Sequence, residues 1–113
     1  FQCADIVHAL NAKMGGTITE VRADGGPTRN RYLMQRQADL LAMPVAVSRE
    51  PDMTALGAAQ LAAMGAGSMS AEEAGAMAVE AVTFEPSMES DEREALWAEW
   101  RGAVDHVCQR AKR

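Results

Sequence analysis

The feature that most constrains the fold is a glycine pair, Gly25-Gly26, which stands between a strand-like run and a helical segment. Residues 18–23 alternate apolar and polar side chains and include β-branched ones, a pattern typical of a short strand. The glycines allow backbone dihedral angles that other residues avoid. Pro27 suits the first turn of a helix, where its missing N–H costs nothing. The sequence therefore predicts a strand, a tight turn and a helix over residues 28–42.

A glycine turn of this kind leaves backbone N–H groups at the positive end of a helix, where an anion or a nucleotide can bind. Most such turns only make the corner between strand and helix, and neither a Walker A sequence nor a Gly-x-Gly-x-x-Gly motif is present. From the residues alone, Asp24 is a turn residue that bonds to its own backbone. Asn30 is expected one turn into the helix and exposed to solvent.

Apolar spacing predicts further elements on both sides of this unit. A first helix over residues 4–14 ends at Gly15-Gly16. Its predicted core face comprises Ile6, Val7, Leu10 and Met14. A second strand over residues 44–47 follows the 28–42 helix, with Pro44 at an edge or at the first position. Strand, helix and strand in this order imply a right-handed parallel crossover.

The helix over residues 28–42 is expected to pack on the sheet through one apolar stripe. The stripe comprises Leu33, Met34, Ala38, Leu40 and Leu41, and the side chains largely outside it are Arg29, Arg36 and Asp39.

The second half of the chain is predicted to be mostly helical. A third helix, capped by Asp52 or Thr54 and rich in small residues, runs to about residue 65. Ser70-x-x-Glu73 has the form of a capping box that opens a short fourth helix. Residues 84–87 interrupt the helical pattern.

The last helix is predicted to start at Ser90 and to match the helix dipole at both ends. Its first turn is acidic, and its end is basic at Arg110, Lys112 and Arg113. Its packing stripe is predicted to contain Trp97, Trp100, Val104, Val107 and Cys108.

Composition excludes several functions. A net charge of -5 argues against nucleic-acid binding, which needs a basic face. No apolar run approaches the roughly 18 residues of a membrane span, so we expect a cytoplasmic protein. Cys3 and Cys108 have no partner at metal-ligand spacing and are expected to be reduced thiols. His8 and His106 are expected to be structural or exposed.

The continuation of the glycine turn resembles the C-terminal nucleotide-binding part of the FGGY carbohydrate kinases. The matching segments are Asp24-Gly25-Gly26, Leu33-Met34-Gln35-x-Gln37-x-Asp39, Met43-Pro44-Val45 and Thr54-Ala55-Leu56-Gly57-Ala58-Ala59. The resemblance implies an α/β fragment of the actin/hexokinase-like (ribonuclease H-like) ATPase fold, a small sheet covered by helices. Residues 1–113 are then expected to be a partial C-terminal nucleotide-binding domain of a longer kinase whose N-terminal half is missing.

The resemblance also implies an ATP- and Mg²⁺-dependent polyol or sugar kinase. Asn30, Leu33-Met34-Gln35 and Phe84-Glu85-Pro86 favour members that phosphorylate glycerol. Members that use xylulose- or erythritol-type substrates are alternatives, as is a non-catalytic actin-like binding module. The magnesium ligands and the catalytic base are expected outside this stretch, so the chain alone should be inactive.

For the site, the resemblance assigns nucleotide contacts to the turn. Gly26 lies against the nucleotide, Asn30 reaches the adenine, and Gly25 mainly shapes the turn with a less certain contact. Ala42 departs from the family, which usually has glycine before the next strand. Uncovered sheet edges and apolar helix faces further predict a homo-oligomer.

Overall fold

The computed structural model of the chain describes residues 1–50, 52–77 and 79–111. The helices in this part are α1 (Gln2–Lys13), α2 (Arg31–Leu41), α3 (Met53–Gly65), α4 (Ala71–Ala76) and α5 (Ser90–Ala111). The strands are β1 (Val21–Ala23), β2 (Val45–Ser48) and β3 (Ala81–Phe84), and a 3-10 helix spans Gly26–Arg29. The predicted basic end of the last helix at Lys112 and Arg113 lies outside the described residues.

The strands form one sheet in the order β1-β2-β3. β1 and β2 are parallel, with Val21 opposite Val45, and β2 and β3 are antiparallel, with Val45 opposite Phe84. Helix α2 connects the two parallel strands, so the predicted parallel strand-helix-strand unit is confirmed. The predicted α/β class is confirmed as well.

The limits of the first two strands differ from the prediction. β1 contains only Val21–Ala23 of the predicted 18–23 run, and the Ile18 N–H instead donates to the Asn11 side-chain oxygen at 2.9 Å. β2 is central in the described sheet, so the edge alternative for Pro44 was wrong. Pro44 lies directly before Val45, the first residue of β2, which is close to the other alternative, the first position of the strand. The Pro44 carbonyl accepts from the Val21 N–H at 3.0 Å, and a carbonyl is all that proline can contribute to a ladder.

Strand β3 was not predicted from the sequence. Residues 84–87 were expected only to interrupt helices, but Phe84 ends an antiparallel strand and is buried at 8% exposure. Val82-Thr83-Phe84 carries the β-branched and aromatic residues that favour strands, in a run too short to identify alone. Pairing with β2 supplies the stability that this short run lacks.

The core lies between one face of the sheet and helices α1, α2 and α5. Its buried members are Ala4, Met34, Ala38, Leu40, Leu41, Val45, Val47, Phe84 and Trp97. Trp97 buries its ring while its indole N–H donates to the Leu40 carbonyl at 3.2 Å, so the buried polar atom is satisfied. This bond fixes α5 against the end of α2.

Helix α1 turns a different face inward from the one predicted. Ile6, Leu10 and Met14 are 62%, 49% and 57% exposed, whereas Ala4 is fully buried and Val7 packs against the core. Val7 lies on both candidate faces, and the small Ala4 allows α1 to approach closely. The prediction chose the face with the larger apolar side chains, and that choice was wrong. The predicted end of this helix is confirmed, since Gly15 and Gly16 follow it with φ of 71° and 78°.

Helix α5 packs along its first half only. Trp97 is buried and Trp100 partly buried, but Val104 and Val107 are 38% and 65% exposed and Cys108 is exposed. The predicted packing stripe was therefore too long. Beyond Trp100 the helix extends past the described core.

The capping predictions for the middle helices are confirmed. Asp52, rather than Thr54, caps α3 by accepting from the Ala55 N–H at 3.0 Å. In α4, the Ser70 hydroxyl accepts from the Glu73 N–H while the Glu73 carboxylate accepts from the Ser70 N–H. The hydrogen bond from the Ser70 backbone, and then that from its side chain, lowers the pKa of Glu73. Among the described residues, none of the helices is both long and apolar enough to cross a membrane.

Candidate functional site

The turn between β1 and α2 is built around Gly25. This residue has φ of 91° and ψ of 179°, a conformation that side chains with a Cβ rarely adopt. The prediction that Gly25 shapes the turn is therefore confirmed. Pro27 lies in the first turn of the 3-10 helix that follows, as expected.

A short bond network holds this turn in place. The Thr28 hydroxyl donates to the Gly25 carbonyl at 2.7 Å, and the Thr28 N–H donates to the same oxygen at 3.1 Å. The Asn30 N–H then donates to the Pro27 carbonyl at 3.1 Å. The predicted helix over residues 28–42 is thus divided into a 3-10 helix and α2, because Asn30 between them adopts an extended conformation.

Gly25 is required by its backbone conformation, but Gly26 is not. Its φ lies outside the left-handed region, and a Cβ built on it meets no described atom within 4 Å. Neither the backbone conformation nor the packing of the described residues demands glycine there. The position faces open space next to the turn.

Asn30 is the N-cap of α2 and does not lie one turn inside the helix, so its predicted place was wrong. Its side-chain Oδ1 accepts from the Leu33 N–H at 3.1 Å. Asparagine is among the best N-cap residues because it satisfies a backbone donor that the helix leaves unpaired. The cap uses Oδ1, so Nδ2 is the part of this exposed amide that can donate to a ligand.

Gly25 and Asn30 flank the 3-10 helix that begins at Gly26, and none of these three predicted site residues lines the cavities found among the described residues. A cavity of about 290 Å³ opens on the sheet face away from α2, where Arg22, Ala46 and Thr83 point. Asp24 lines its end nearest the turn. The turn itself is an open surface.

Asp39 was predicted to lie largely outside the packed face of α2, and this was wrong. It is 5% exposed, and its Oδ1 accepts hydrogen bonds from the Ser87 N–H at 2.8 Å and from the Ser87 hydroxyl at 3.2 Å. It also accepts from the Gln35 amide at 3.0 Å and the Met88 N–H at 3.2 Å. Burial is tolerated because these donors replace water.

The same donors decide the charge of Asp39. Burial by itself raises the pKa of a carboxyl, but the bonds from Ser87, Gln35 and Met88 together outweigh it and hold the pKa of Asp39 below its ordinary value of 3.8. Asp39 is therefore ionised at neutral pH. Sequence reasoning missed it because its main partners lie 48 and 49 residues away.

No metal centre is formed by the described part of the chain, in which no group of three or more His, Cys, Asp or Glu side chains is placed to hold an ion. His8 instead lies with its Nε2 3.3 Å from the Leu41 carbonyl, a structural contact as expected.

A parallel strand-helix-strand unit with a glycine turn at the start of its crossover defines an α/β domain of the kind that nucleotide-binding proteins use. The sequence model of the FGGY family of carbohydrate kinases, C-terminal domain, matches residues 1–66. The chain belongs to this family.

Individual relatives agree with this assignment. The chain is 47% identical over 105 residues to a glycerol kinase of Bordetella parapertussis, covering 92% of this chain and 21% of the relative. It is 45% identical over 106 residues to a glycerol kinase of Dechloromonas aromatica, covering 93% and 21%. The chain thus spans about a fifth of the length of the curated relatives it matches.

A solved structure shows the same fold. The crystal structure of Plasmodium falciparum glycerol kinase with ADP superimposes with a TM-score of 0.75 at 30% identity, over 93% of this chain and 21% of that one. The predicted actin/hexokinase-like fold class and the resemblance stated from the sequence are both confirmed.

Proposed function

We propose that residues 1–113 are part of the C-terminal nucleotide-binding domain of an ATP-dependent glycerol kinase, which converts glycerol to glycerol 3-phosphate. In this proposal the chain supplies the adenosine side of the ATP site through Gly25, Gly26 and Asn30. The family and the glycerol kinase relatives support the reaction. The ADP in the Plasmodium falciparum structure supports the nucleotide.

The observation that carries the proposal is the position of Gly26, an open glycine at the turn between β1 and α2. Gly57, Gly65, Gly75 and Gly102 are equally open but lie within helices, so a ligand at the turn is proposed for Gly26 alone. A Cβ at this position would occupy the space that the base or ribose needs. Gly25 contributes mainly by turning the chain, since its positive φ keeps Gly26 and its N–H at the surface of the turn.

Asn30 complements Gly26 on the other side of the 3-10 helix. Its Oδ1 is held by the Leu33 N–H, which fixes the side-chain rotamer and directs Nδ2 outward. A donor fixed in this way recognises acceptor nitrogens such as those of adenine with little loss of entropy on binding. The role of these residues is to bind and orient the nucleotide.

Among the described residues, no three or more His, Cys, Asp or Glu side chains are placed to hold a metal ion. When bound with ATP, Mg²⁺ neutralises charge on the phosphoryl group in transfer. In this proposal the magnesium ligands, the catalytic base and the polyol pocket lie in the rest of the protein, as the family resemblance implies. The proposal also includes a cytoplasmic location, with which the two free cysteines agree.

The test is a phosphoryl-transfer assay with the purified full-length protein, with ADP release measured for glycerol, xylulose and erythritol in turn. Glycerol-dependent release well above the other two supports the proposal. Preference for xylulose or erythritol would reassign the substrate within the family, and no transfer to any polyol despite ATP binding would favour a binding module. Residues 1–113 alone should release no ADP above a blank, which controls for a contaminating kinase.

A further inference from the structure

Three polar side chains of α2, Arg31, Gln35 and Asp39, are spaced four residues apart and so lie along one stripe of the helix. All three contact the segment 84–88, which joins β3 to α5. We call these three side chains and this segment the α2 clasp. The sequence motif Leu33-Met34-Gln35-x-Gln37-x-Asp39 contains Gln35 and Asp39, but the sequence alone does not explain why these residue types occur there.

The contacts of the α2 clasp run from one end of the helix to the other. The Arg31 guanidinium lies over the Phe84 ring, 5.2 Å from its centre. The Gln35 amide nitrogen donates to the Glu85 carbonyl at 2.7 Å and also contacts Asp39. At the far end, the Asp39 Oδ1 accepts hydrogen bonds from the Ser87 and Met88 N–H groups.

A purely apolar interface would allow α2 more freedom than this arrangement does. Apolar contacts are non-directional, so a helix held only by them can turn or slide slightly at little cost. Hydrogen bonds to a buried carboxylate tolerate little displacement, since their lengths fall within about 2.7–3.2 Å. The α2 clasp therefore fixes the rotation of α2 about its axis.

Rotation of α2 matters because Asn30 caps its first turn. Side-chain atoms lie about 5–6 Å from a helix axis, so a rotation of about 10° moves them by about 1 Å. A shift of that size is enough to break a hydrogen bond from Asn30 to a ligand.

We propose that Gln35 and Asp39 are positioning residues for nucleotide binding, which hold α2 on the 84–88 segment and thereby aim the Asn30 amide. This inference rests on the proposed function, because it needs the nucleotide at Asn30. Neither residue touches the nucleotide. Their effect passes through the orientation of the helix.

The test is a double-mutant cycle in the full-length protein with Asp39→Ala and Asn30→Ser, with the Michaelis constants for ATP and glycerol measured for each variant. Serine keeps the cap but removes the amide. Asp39→Ala should raise the constant for ATP about threefold to tenfold and leave that for glycerol unchanged. In the Asn30→Ser background, Asp39→Ala should raise the Michaelis constant for ATP by less than about twofold. The Asn30 amide, which Asp39 positions, is already absent from that background.

The conservative variant Asp39→Asn separates positioning from charge. All four bonds at Asp39 reach Oδ1, which asparagine retains, so Asp39→Asn should restore the constant for ATP to within about twofold of the parent. If Asp39→Ala does not fold, Gln35→Met replaces it in the cycle, since methionine keeps the length of the side chain without its donors.

Two results would overturn the inference. One is an equal loss of ATP affinity with and without the Asn30 amide, and the other is an equal loss of glycerol affinity. If Asn30→Ser and Gly26→Val leave ATP binding unchanged, the proposed function fails and the inference falls with it. If those two variants weaken ATP binding while Asp39→Ala does not, only the positioning role is wrong.

Discussion

Asp39 and Ser87 are 48 residues apart in sequence and joined by two hydrogen bonds, from the Ser87 N–H at 2.8 Å and its hydroxyl at 3.2 Å. Among the described residues, Asp39 is the one charged residue that is buried. Because a buried charge is tolerated only with good partners, this pair ties α2 to the segment before α5. The contribution of this pair to the free energy of unfolding depends on pH.

The first prediction is that Asp39→Asn makes the free energy of unfolding less dependent on pH in the acid range. The folded pKa of Asp39 lies below the unfolded one, so its ionised form stabilises the fold above the ordinary pKa of 3.8. This contribution is lost as pH falls through the folded value. Urea unfolding of both proteins between about pH 6 and pH 2 should show a stability difference that shrinks toward acid. A difference independent of pH would contradict it.

The second prediction concerns Ala42, which follows α2 in the left-handed conformation, with φ of 54° and ψ of 34°. Glycine is the usual residue at such a helix end, and alanine there costs about 1 kcal/mol. Ala42→Gly should therefore raise the free energy of unfolding by about 0.5–1 kcal/mol in denaturant titration. Ala12→Gly, inside α1 and exposed, is the matched control and should lower it by about 1 kcal/mol. Equal losses in both variants would show that Ala42 is not strained.

The third prediction is that Gly26→Val severely weakens ATP binding by the full-length protein while the protein stays folded. Branched bulk would fill the open space beside the turn, which no described atom occupies. Gly102→Val is the control, because that glycine is exposed in α5 and also has free space around a Cβ. Calorimetric titration with ATP should separate the two variants, and unchanged affinity in Gly26→Val would mean that the turn binds another ligand.

The fourth prediction separates two roles of Asn30. Asn30→Ala removes both the cap on the Leu33 N–H and the amide, so it should cost about 1 kcal/mol of stability. Asn30→Ser keeps a capping oxygen and should be near the parent in stability. Both should raise the Michaelis constant for ATP about threefold to tenfold, with glycerol little affected. A loss of glycerol affinity alone would show that the site is assigned to the wrong substrate.

The fifth prediction is that the 113-residue chain self-associates through the outer face of α1. Ile6, Leu10 and Met14 expose apolar surface along this helix, and such patches favour association. Light scattering should show species larger than a monomer at high concentration, and Ile6→Lys should reduce them. A monomer at all concentrations would refute the prediction.

The sequence predicted the features that depend on near neighbours. Gly25, Pro27 and the Ser70 capping box each act within a few residues, so their residue types were sufficient. The cap at Asn30 could also have been predicted from the sequence, because asparagine before an apolar helix is a standard start signal.

The remaining features depend on partners far away in the chain. Asp39 gives no local sign of burial, because the donors that compensate it come from Ser87 and Met88. Strand β3 needs β2 beside it before its short run is stable, and the inward face of α1 depends on how closely Ala4 approaches the core. Roles of Gly26 and Asn30 toward a ligand came from family resemblance and stay predictions.

The contact between α1 and α5 has a consequence for biosynthesis. The Trp100 indole N–H donates to Asp5 at 2.9 Å across 95 residues, and the Phe1 ring stacks on Trp100 with centres 5.2 Å apart. At ribosomal rates of about 5–20 residues per second, the intervening chain takes about 5–20 s to make. During that interval the Phe1 ring lacks its two partners in α5, Trp97 and Trp100. We expect chaperones that bind exposed apolar segments to meet the nascent chain at α1, and final docking to follow synthesis of α5.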